Sequence, residues 1–267
     1  MVDDGFEAPA RPALAAAALR AALAGPGRPW RDVQVVAATG STNADLVVQA
    51  RDGAAAGLVL VAEEQTAGRG RLGRSWTSPA RSGLTFSVLL RPVGPPARLG
   101  WLPLLTGLAV AESVSRLAGL DVRLKWPNDL LVGERKLGGI LAERVGTAVV
   151  VGLGLNVTAV GQELPGPWAT SLAAESAACI DRDPILVAVL RRLAERVAAW
   201  DRASADPELR LAYTQRCASL GRTVRAELPG GRVVAGIARS LDPQGRLVVE
   251  TDCGPEPLSA GDLVHLR

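Results

Sequence analysis

A loop-like stretch of alternating glycine and arginine reads Gln65-Thr66-Ala67-Gly68-Arg69-Gly70-Arg71-Leu72-Gly73-Arg74-Ser75-Trp76. It directly follows an apolar run at 57–62, which is typical of a strand. Glycine lets a ligand approach the main chain closely, and arginine supplies fixed-charge donors that match phosphate and carboxylate geometry. The stretch therefore predicts a loop that closes over an anionic ligand, with a flexible, solvated basic loop as the alternative.

The composition describes a chain that can bury a sizeable core. Its 267 residues are 48% hydrophobic but only 3% aromatic, so the core is expected to consist mostly of Ala, Val and Leu. The net charge of +3 is small and the charges are scattered, which argues against a dedicated nucleic-acid face. No segment approaches the roughly 18 consecutive apolar residues of a membrane span, and the first residues lack a signal-peptide pattern. We expect a soluble, cytoplasmic protein without a membrane partner.

Cysteine and histidine are too sparse for several common chemistries. Cys179, Cys217 and Cys253 are far apart and odd in number, so neither a disulfide framework nor a zinc site is indicated. His265 is the only histidine, and its place near the chain end predicts a surface residue rather than a general base. Mechanisms of the Ser-His-Asp and Cys-His types are therefore excluded.

Lysine is rare in relation to arginine. Lys125 and Lys136 are the only lysines, and the other 28 of the 30 basic residues are arginine. A lysine retained against such a bias suggests a position that needs a compact ammonium group. Chance is the alternative, but both lysines fall within one stretch of twelve residues.

Hydrophobic patterning predicts a mixed α/β chain that ends in a separate β-rich part. Strands are expected at 33–38, 58–62, 84–90, 122–125, 130–132, 137–143 and 147–151, and helices at 12–23, 44–51, 99–117, 183–200 and 206–219. Further short strands, typical of a small barrel, are expected at 224–228, 232–241, 246–251 and 263–266. The predicted division is an N-terminal helical segment at 1–30, a main domain at 31–219 and a small β domain at 220–267.

Ser41, Thr42 and Asn43 form a polar cluster ahead of the predicted helix at 44–51. All three are types that favour helix N-caps, so capping alone would account for them. A helix N-terminus also offers free N–H groups, which together with hydroxyls would bind a ligand. Both interpretations stay open at this point.

A second distinctive stretch reads Lys125-Trp126-Pro127-Asn128-Asp129-Leu130-Leu131, and Lys136-Leu137-Gly138-Gly139-Ile140-Leu141 follows it. The Trp-Pro-Asn-Asp segment predicts a turn that presents the Asp129 carboxylate. Lys136 opens the next predicted strand. Gly138 and Gly139 would give a floor without side chains for a flat ligand or, alternatively, a β-bulge.

The standard nucleotide-binding motifs do not fit this chain. A GxxxxGK[ST] sequence is absent, and the match of residues 68–73 to GxGxxG is weak. Arginines, Pro79 and the predicted strand at 84–90 replace the helix that a dinucleotide-binding unit needs. We therefore reject that interpretation.

In order and spacing, these motifs resemble the biotin–protein ligases (biotin–[acetyl-CoA-carboxylase] ligases). The resemblance runs from about 33 to 156 and includes Gly-Ser-Thr-Asn at 40–43 and the motifs at 68–76, 125–129 and 136–141. It implies a mixed β-sheet packed with helices, as in class II synthetase-like biotin/lipoate ligases, and a small C-terminal SH3-like β-barrel. Some members carry an N-terminal DNA-binding winged helix. About thirty residues precede the first predicted strand here, too few for that module, so the resemblance is to the monofunctional type that binds no DNA.

The resemblance implies a two-step reaction. In the first step, which requires Mg²⁺, biotin and ATP form biotinyl-5′-AMP and pyrophosphate. In the second step, a lysine of a biotin carboxyl carrier domain takes the biotinyl group and AMP is released. The first step brings an anion against a polyanion, so it needs cationic groups rather than a histidine base. A monomer or weak homodimer is expected.

The same resemblance implies roles for individual residues. Those expected to act in catalysis are Lys136, Arg71 and Asp129. Those expected to bind biotin are Ser41, Thr42, Asn43, Gln65, Arg69, Gly70, Arg71, Trp76, Lys136, Gly138 and Gly139. Those expected to meet ATP are Arg69, Arg71, Arg74, Asn128, Lys136, Asn156 and Trp168, and no metal ligand is predicted. Trp168 would stack on adenine or simply anchor its loop.

Three other functions compete with biotin ligation. A lipoate–protein ligase uses the same acyl-adenylate chemistry, but the intact Gly/Arg loop, Gln65 and the Lys-Trp-Pro-Asn-Asp motif favour biotin. A nucleic-acid-binding protein would show strong salt dependence and clustered basic and aromatic residues, whereas only Trp76 lies near the basic loop. A catalytically inactive binding module is disfavoured by Lys136 and the intact arginines.

Overall fold

The computed structural model describes residues 10–202 and 207–266. Three parts of the expectations lie outside these residues: the first nine positions of the N-terminal segment, Asp206 at the expected start of a helix, and the last residue of the β domain. Among the helices described, none combines the length and the apolar character needed to cross a membrane.

The described residues form five α-helices and twelve strands in an α/β arrangement. The helices are α1 (Ala16–Leu23), α2 (Thr42–Arg51), α3 (Trp101–Ala118), α4 (Arg182–Arg202) and α5 (Pro207–Arg216). The first seven strands are β1 (Asp32–Val36), β2 (Leu58–Ala62), β3 (Gly83–Leu90), β4 (Val122–Lys125), β5 (Asp129–Val132), β6 (Arg135–Val145) and β7 (Ala148–Asn156). The last five are β8 (Thr223–Glu227), β9 (Val233–Leu241), β10 (Leu247–Thr251), β11 (Gly254–Leu258) and β12 (Asp262–His265).

A seven-stranded mixed sheet forms the centre of the fold, in the order β1-β2-β3-β7-β6-β5-β4. Only β1 and β2 run parallel, and the other neighbours are antiparallel. Every residue of β3 and β7 is buried, because helices cover both faces of the sheet there. α2 packs on one face through Leu46 and Ala50, and the long apolar α3 packs in the main core on the other.

The smaller sheet has the order β11-β10-β9-β8-β12 and is antiparallel throughout. It is the SH3-like β domain, and it contacts the main domain at α3 and at the turn between β4 and β5. The indole N–H of Trp101 donates to Pro243 O at 2.9 Å, and that of Trp126 donates to Gly245 O at 3.2 Å. Strand β11 was not predicted, because Pro255 and Pro257 oppose strand formation except at a sheet edge, which is where β11 lies.

The predicted helix at 12–23 is wrong in its first turn. Residues 11–15 are not helical, and several of their backbone groups hydrogen-bond to distant side chains. Leu14 N donates to Glu63 Oε1 at 2.6 Å, and Arg182 Nη2 donates to Pro12 O at 2.5 Å. Tertiary hydrogen bonds thus outweigh the helix propensity of this Ala- and Leu-rich segment.

Candidate active site

A cavity of about 670 Å³ lies above the centre of the large sheet, where β6 and β7 form its floor. The N-terminus of α2 lies at one side, and the loop at 65–76 covers the cavity. The turn between β4 and β5, the loop after β7 and strand β12 complete the lining. A concave site of this size, with a few converging polar groups, is typical of small-molecule binding.

The N-terminus of α2 is joined to the start of the covering loop. Ser41 is the N-cap, and its hydroxyl accepts a hydrogen bond from Ala44 N at 3.4 Å. The backbone N and Oγ1 of Thr42 both donate to Gln65 Oε1, at 2.8 and 3.0 Å. Capping and ligand binding are therefore compatible here, because Ser41, Thr42 and Gln65 also line the cavity.

Both polar atoms of the Asn43 side chain are hydrogen-bonded to protein groups. Its Nδ2 donates to Glu143 Oε2 at 2.8 Å, and its Oδ1 accepts from Ser87 Oγ at 2.6 Å. Ser87 Oγ also lies 2.7 Å from Thr42 Oγ1, so the network fixes the Thr42 hydroxyl. A Cβ on Gly152 would lie only 2.2 Å from Asn43 Oδ1, which explains the glycine. Ser87 was missed in the sequence, although a polar residue inside an apolar strand was a usable signal.

The covering loop folds back on itself as a short hairpin. Gly70 N donates to Arg74 O at 2.6 Å, and Trp76 N donates to Gly68 O at 2.9 Å. A Cβ on Gly68 would lie 2.3 Å from Trp76 O, so the hairpin requires glycine there. Leu72 at the tip has a φ of 56° and is exposed.

The indole of Trp76 lies on the glycines of the floor. A Cβ on Gly154 would be 2.3 Å from Trp76 Cε2, and one on Gly139 would be 3.5 Å from Trp76 Cζ3. The Trp76 Nε1 is buried and has no hydrogen-bond partner among the described residues. Gly138, by contrast, faces the neighbouring strand, where an added Cβ would lie 2.7 Å from Gly154 O, and it does not line the cavity.

Four predicted residues meet at the turn between β4 and β5. Lys136 Nζ lies 2.7 Å from Asp129 Oδ1, and Arg71 Nη1 donates to Asn128 Oδ1 at 2.8 Å. Burial lowers the pKa of Arg71, and the Asp129 carboxylate opposes that shift. Arg69 lies on the same loop but is exposed. The turn therefore brings two cations from distant parts of the chain to one end of the cavity.

The register between β5 and β6 shifts next to this turn. Leu130 pairs with Gly138, whereas Leu131 pairs with Lys136, so one extra residue of β6 is accommodated. The β-bulge considered for the two glycines thus lies beside them. It falls between Lys136 and Gly138 and interrupts the strict alternation of side chains there.

Arg74 contacts the small β domain rather than the turn. Its guanidinium pairs with the Asp262 carboxylate at the start of β12, and both side chains are partly exposed. The hydrogen bond raises the pKa of Arg74 and lowers the pKa of Asp262. The covering loop is therefore bonded to both domains, and Asp262 is a lining residue that no sequence motif indicated.

His265 differs from the expectation of a surface residue. Its ring is half-buried, lines the cavity, and has Nε2 2.9 Å from Ser219 Oγ. Burial lowers its pKa to about 4, and the nearby charges of Lys125 and Arg222 act in the same direction. The ring is therefore neutral at pH 7. Position near the chain end was a poor guide, because β12 pairs with β8 and carries the residue inward.

Asn156 and Trp168 lie at the loop that follows β7. Asn156 is buried, lines the cavity, and donates through Nδ2 to Thr170 O at 2.9 Å. Trp168 also lines the cavity but is 56% exposed at its mouth. Lys136 N donates to Trp168 O at 2.8 Å, so this loop is bonded to the strand that carries the lysine.

Comparison with known proteins defines the class to which this fold and site belong. Residues 39–156 match the biotin/lipoate A/B protein ligase family, and residues 219–266 match the biotin protein ligase C-terminal domain. The chain is 48% identical over 262 residues to the biotin–[acetyl-CoA-carboxylase] ligase of Mycobacterium tuberculosis, covering 96% of this chain and 97% of that relative. The chain therefore belongs to the biotin protein ligase family.

Two further relatives agree with this class. A biotin–[acetyl-CoA-carboxylase] ligase of Paracoccus denitrificans is 31% identical over 240 residues, covering 86% of this chain and 98% of that protein. The structure of a biotin protein ligase from Aquifex aeolicus in complex with biotin and ATP superposes with a TM-score of 0.77 at 29% identity. That superposition covers 89% of this chain and 100% of the other. The predicted family and fold class are thus confirmed.

Proposed function

We propose that this protein is an ATP-dependent biotin ligase. It activates biotin as biotinyl-5′-AMP and transfers the biotinyl group to a lysine of a biotin carboxyl carrier domain, such as that of acetyl-CoA carboxylase. One observation carries the proposal: the only lysine with a predicted catalytic role, Lys136, and the loop residue Arg71 converge at one turn beside the cavity.

The first step joins biotin and ATP. A carboxylate oxygen of biotin attacks the α-phosphorus of ATP, the bond from that phosphorus to the bridging oxygen breaks, and pyrophosphate leaves. The reacting groups are anions, so Arg71 and Lys136 act by neutralising charge in the transition state. The nucleophile is already ionised at pH 7, so no base is required.

The second step transfers the acyl group to the carrier lysine. The neutral amine attacks the acyl carbon, the mixed anhydride bond breaks, and AMP leaves with its phosphate oxygen. Asp129, which is partly exposed at the cavity, orients this amine and takes up its proton, and Lys136 compensates charge on the departing phosphate. The covering loop retains the reactive adenylate until the amine arrives.

Magnesium enters as part of the MgATP substrate. Among residues 10–202 and 207–266, no group of three or more His, Cys, Asp or Glu side chains could hold an ion. The carboxylates that line the cavity are each paired with a cation: Asp129 with Lys136, Glu134 with Arg222, and Asp262 with Arg74. Mg²⁺ commonly takes one or two carboxylates together with substrate phosphates and water, so the phosphates of ATP would supply most of its ligands.

The predicted binding roles are proposed to divide between the two sides of the cavity. The α2 side, with Ser41, Thr42 and Gln65, suits the polar ring of biotin, and Trp76 with Gly139 suits its apolar part. The nucleotide lies towards Asn128, Asn156 and Trp168. Asn43 has an indirect role, because it hydrogen-bonds Ser87, whose hydroxyl contacts the Thr42 hydroxyl. The monofunctional, non-DNA-binding character and the monomer or weak homodimer remain predictions, as does the domain boundary near 220.

The test is complete biotinylation in a defined mixture. Purified protein, MgATP, biotin and an isolated carrier domain should give one biotinyl adduct by intact mass, together with one AMP per adduct. A carrier domain whose acceptor lysine is changed to arginine serves as the control and should stay unmodified. AMP release without an adduct, or no consumption of ATP, would contradict the proposal.

A further inference from the structure

Residues 11–15 form a non-helical segment, called the strap below, that precedes α1 and is hydrogen-bonded to the main domain. Leu14 N donates to Glu63 Oε1 at 2.6 Å, and Ala15 N donates to Asp183 Oδ1 at 3.1 Å. Glu63 also pairs at 2.6 Å with Arg182, and both of these side chains are at least nine-tenths buried. These contacts fix the backbone of the strap and thereby limit the positions that the Arg11 side chain can adopt.

Arg11 extends from this strap to the loop that follows β7. Its Nη1 and Nη2 donate to Glu163 Oε1 and Oε2, at 2.9 and 2.5 Å, in a bidentate arrangement. Its Nε donates to Thr158 Oγ1 at 3.0 Å, and Nη2 also donates to Thr158 O at 3.3 Å. Both charged side chains are mostly covered, at 18% and 31% exposure. Planar bidentate pairing of this kind fixes direction as well as distance.

The loop held by Arg11 leads to the cavity. Glu163 Oε2 also accepts from Val160 N at 3.1 Å, which closes the turn at Gly161–Glu163. Five residues later, Trp168 lines the cavity mouth and accepts through its carbonyl oxygen from Lys136 N at 2.8 Å. The ends of the loop are thus bonded to the sheet, and Arg11 anchors the middle through a residue 152 positions away in sequence.

We infer that Arg11 is a positioning residue for nucleotide binding, acting through Glu163 on the loop that carries Trp168. The inference rests on the proposed function, because it takes the Trp168 side of the cavity as the nucleotide side. A loop held in its binding conformation requires less ordering when the ligand arrives, so the pair strengthens ATP binding. Biotin, at the opposite side beside α2, gains nothing from the pair.

The test compares Michaelis constants in biotin-dependent ATP–pyrophosphate exchange. Arg11→Ala should raise KM for ATP by about five- to tenfold, a modest change because the lost hydrogen bonds order the loop and do not contact ATP. Its kcat should change by less than about twofold, and KM for biotin should stay unchanged, because chemistry and the biotin side are untouched. The charge-swapped pair Arg11→Glu with Glu163→Arg should recover part of the affinity for ATP.

A matched control comes from the same N-terminal region. Arg20 pairs at 2.9 Å with Asp32 on β1 and lies outside the cavity lining, so Arg20→Ala should leave all three constants unchanged. Glu163→Gln keeps the shape of the side chain and should show a smaller rise in KM for ATP. If Arg11→Ala folds poorly, Glu163→Gln tests the same contact through KM for ATP.

Two results would overturn the inference. One is an unchanged KM for ATP in folded Arg11→Ala, and the other is an equal rise in the constants for ATP and biotin. The proposed function fails differently, through absence of biotin-dependent exchange in the wild-type protein. If lipoate supports exchange instead, the same ATP titration still tests Arg11.

Discussion

Among single residues, we expect adenylation to depend most on the positive charge of Lys136. Lys136→Met keeps much of the side-chain volume but removes the cation from beside Asp129. We expect exchange to fall by about 100-fold or more, the usual cost of losing one electrostatic stabiliser of a transition state. The measurement is kcat for biotin-dependent ATP–pyrophosphate exchange.

The control for Lys136 is its neighbour on the same strand. Arg135 lies outside the cavity lining, is 49% exposed and pairs with Glu175 at 2.7 Å. Arg135→Gln should leave exchange within about twofold of wild type, because the Arg135 guanidinium does not reach the cavity. A comparable loss in both variants would show that the strand, and not the ammonium group, had been disturbed.

A second residue-scale prediction concerns the contact of Trp76 with Gly154. In Gly154→Ala the new methyl group would lie 2.3 Å from the indole, so Trp76 must move. We expect a loss of about 1–3 kcal/mol in the free energy of unfolding and a raised KM for biotin. Urea unfolding measures the first, and exchange kinetics the second.

A double variant tests whether the clash with Trp76 causes the loss of stability in Gly154→Ala. With Trp76→Ala already present, Gly154→Ala should cost little, because the clashing ring is gone. Simple additivity of the two changes would contradict the contact. Gly139→Ala offers a milder comparison, since its methyl group would meet Trp76 only at 3.5 Å.

Residue types in the site were predictable from the sequence, but their partners were not. Lys136 stood out by its rarity, and the Asp129 turn by its local chemistry. Their ion pair depends on the register shift between β5 and β6, which no local pattern signals. Asn43 and Ser87 meet across elements 44 residues apart. Their hydrogen bond follows from packing, which periodicity does not specify.

At the scale of elements, the covering loop at 65–76 is proposed to retain the adenylate. Arg71→Gly removes the link to Asn128 and loosens the hairpin with another glycine. We expect biotinyl-5′-AMP to escape and to label lysines of bystander proteins. The measurement is biotin incorporated into serum albumin that is present during the reaction, in wild type and variant.

An exposed loop residue serves as the comparison for Arg71. Leu72 occupies the hairpin tip and is 61% exposed. Leu72→Ser should give bystander labelling close to that of wild type if closure depends on the arginine contact rather than on the loop surface. Equal labelling by wild type and Arg71→Gly would refute retention by this loop.

Most elements were predictable because their hydrophobic runs are long and bounded by turn residues. β2 was predicted to the residue at 58–62, whereas β7 continues to Asn156, beyond its predicted end at 151. Glycine is a poor strand former, yet Gly152 and Gly154 are needed in β7 to make room for Asn43 and Trp76. The missing β11 and the misplaced start of α1 have the same origin: tertiary contacts override local propensity.

At the scale of the whole molecule, His265 links stability to pH. Its pKa is about 4 in the folded protein and about 6.5 in an unfolded chain, so protonation favours unfolding. The stability that it contributes is fully present above about pH 6.5 and is lost as pH falls towards 4. Asp262, Glu112 and Glu163 have lowered pKa values and act only at more acidic pH.

The pH dependence is testable between pH 7 and pH 5. We expect the wild-type free energy of unfolding to fall by about 1–2 kcal/mol over this range, a figure reduced for the partial exposure of the ring. His265→Gln should show a flatter profile while keeping a side chain that hydrogen-bonds Ser219. Parallel profiles for the two proteins would contradict a half-buried His265 that is neutral in the folded protein.

The two domains meet at the cavity, and this arrangement was only partly predictable. Composition predicted a small β domain, but it did not indicate that β12 would line the site. Asp262 reaches Arg74 of the covering loop, and His265 lies beside the cavity. Such contacts depend on how the small β domain docks onto Trp101 and Trp126 of the main domain, which single-sequence patterns do not encode.

We propose that biotin is the acid that this site activates. Biotin-dependent ATP–pyrophosphate exchange is the decisive measurement, because it reports adenylation without a carrier domain. Wild-type protein with MgATP should exchange labelled pyrophosphate into ATP when biotin is added, and should not respond to lipoate. Exchange with lipoate but not with biotin would contradict biotin as the activated acid.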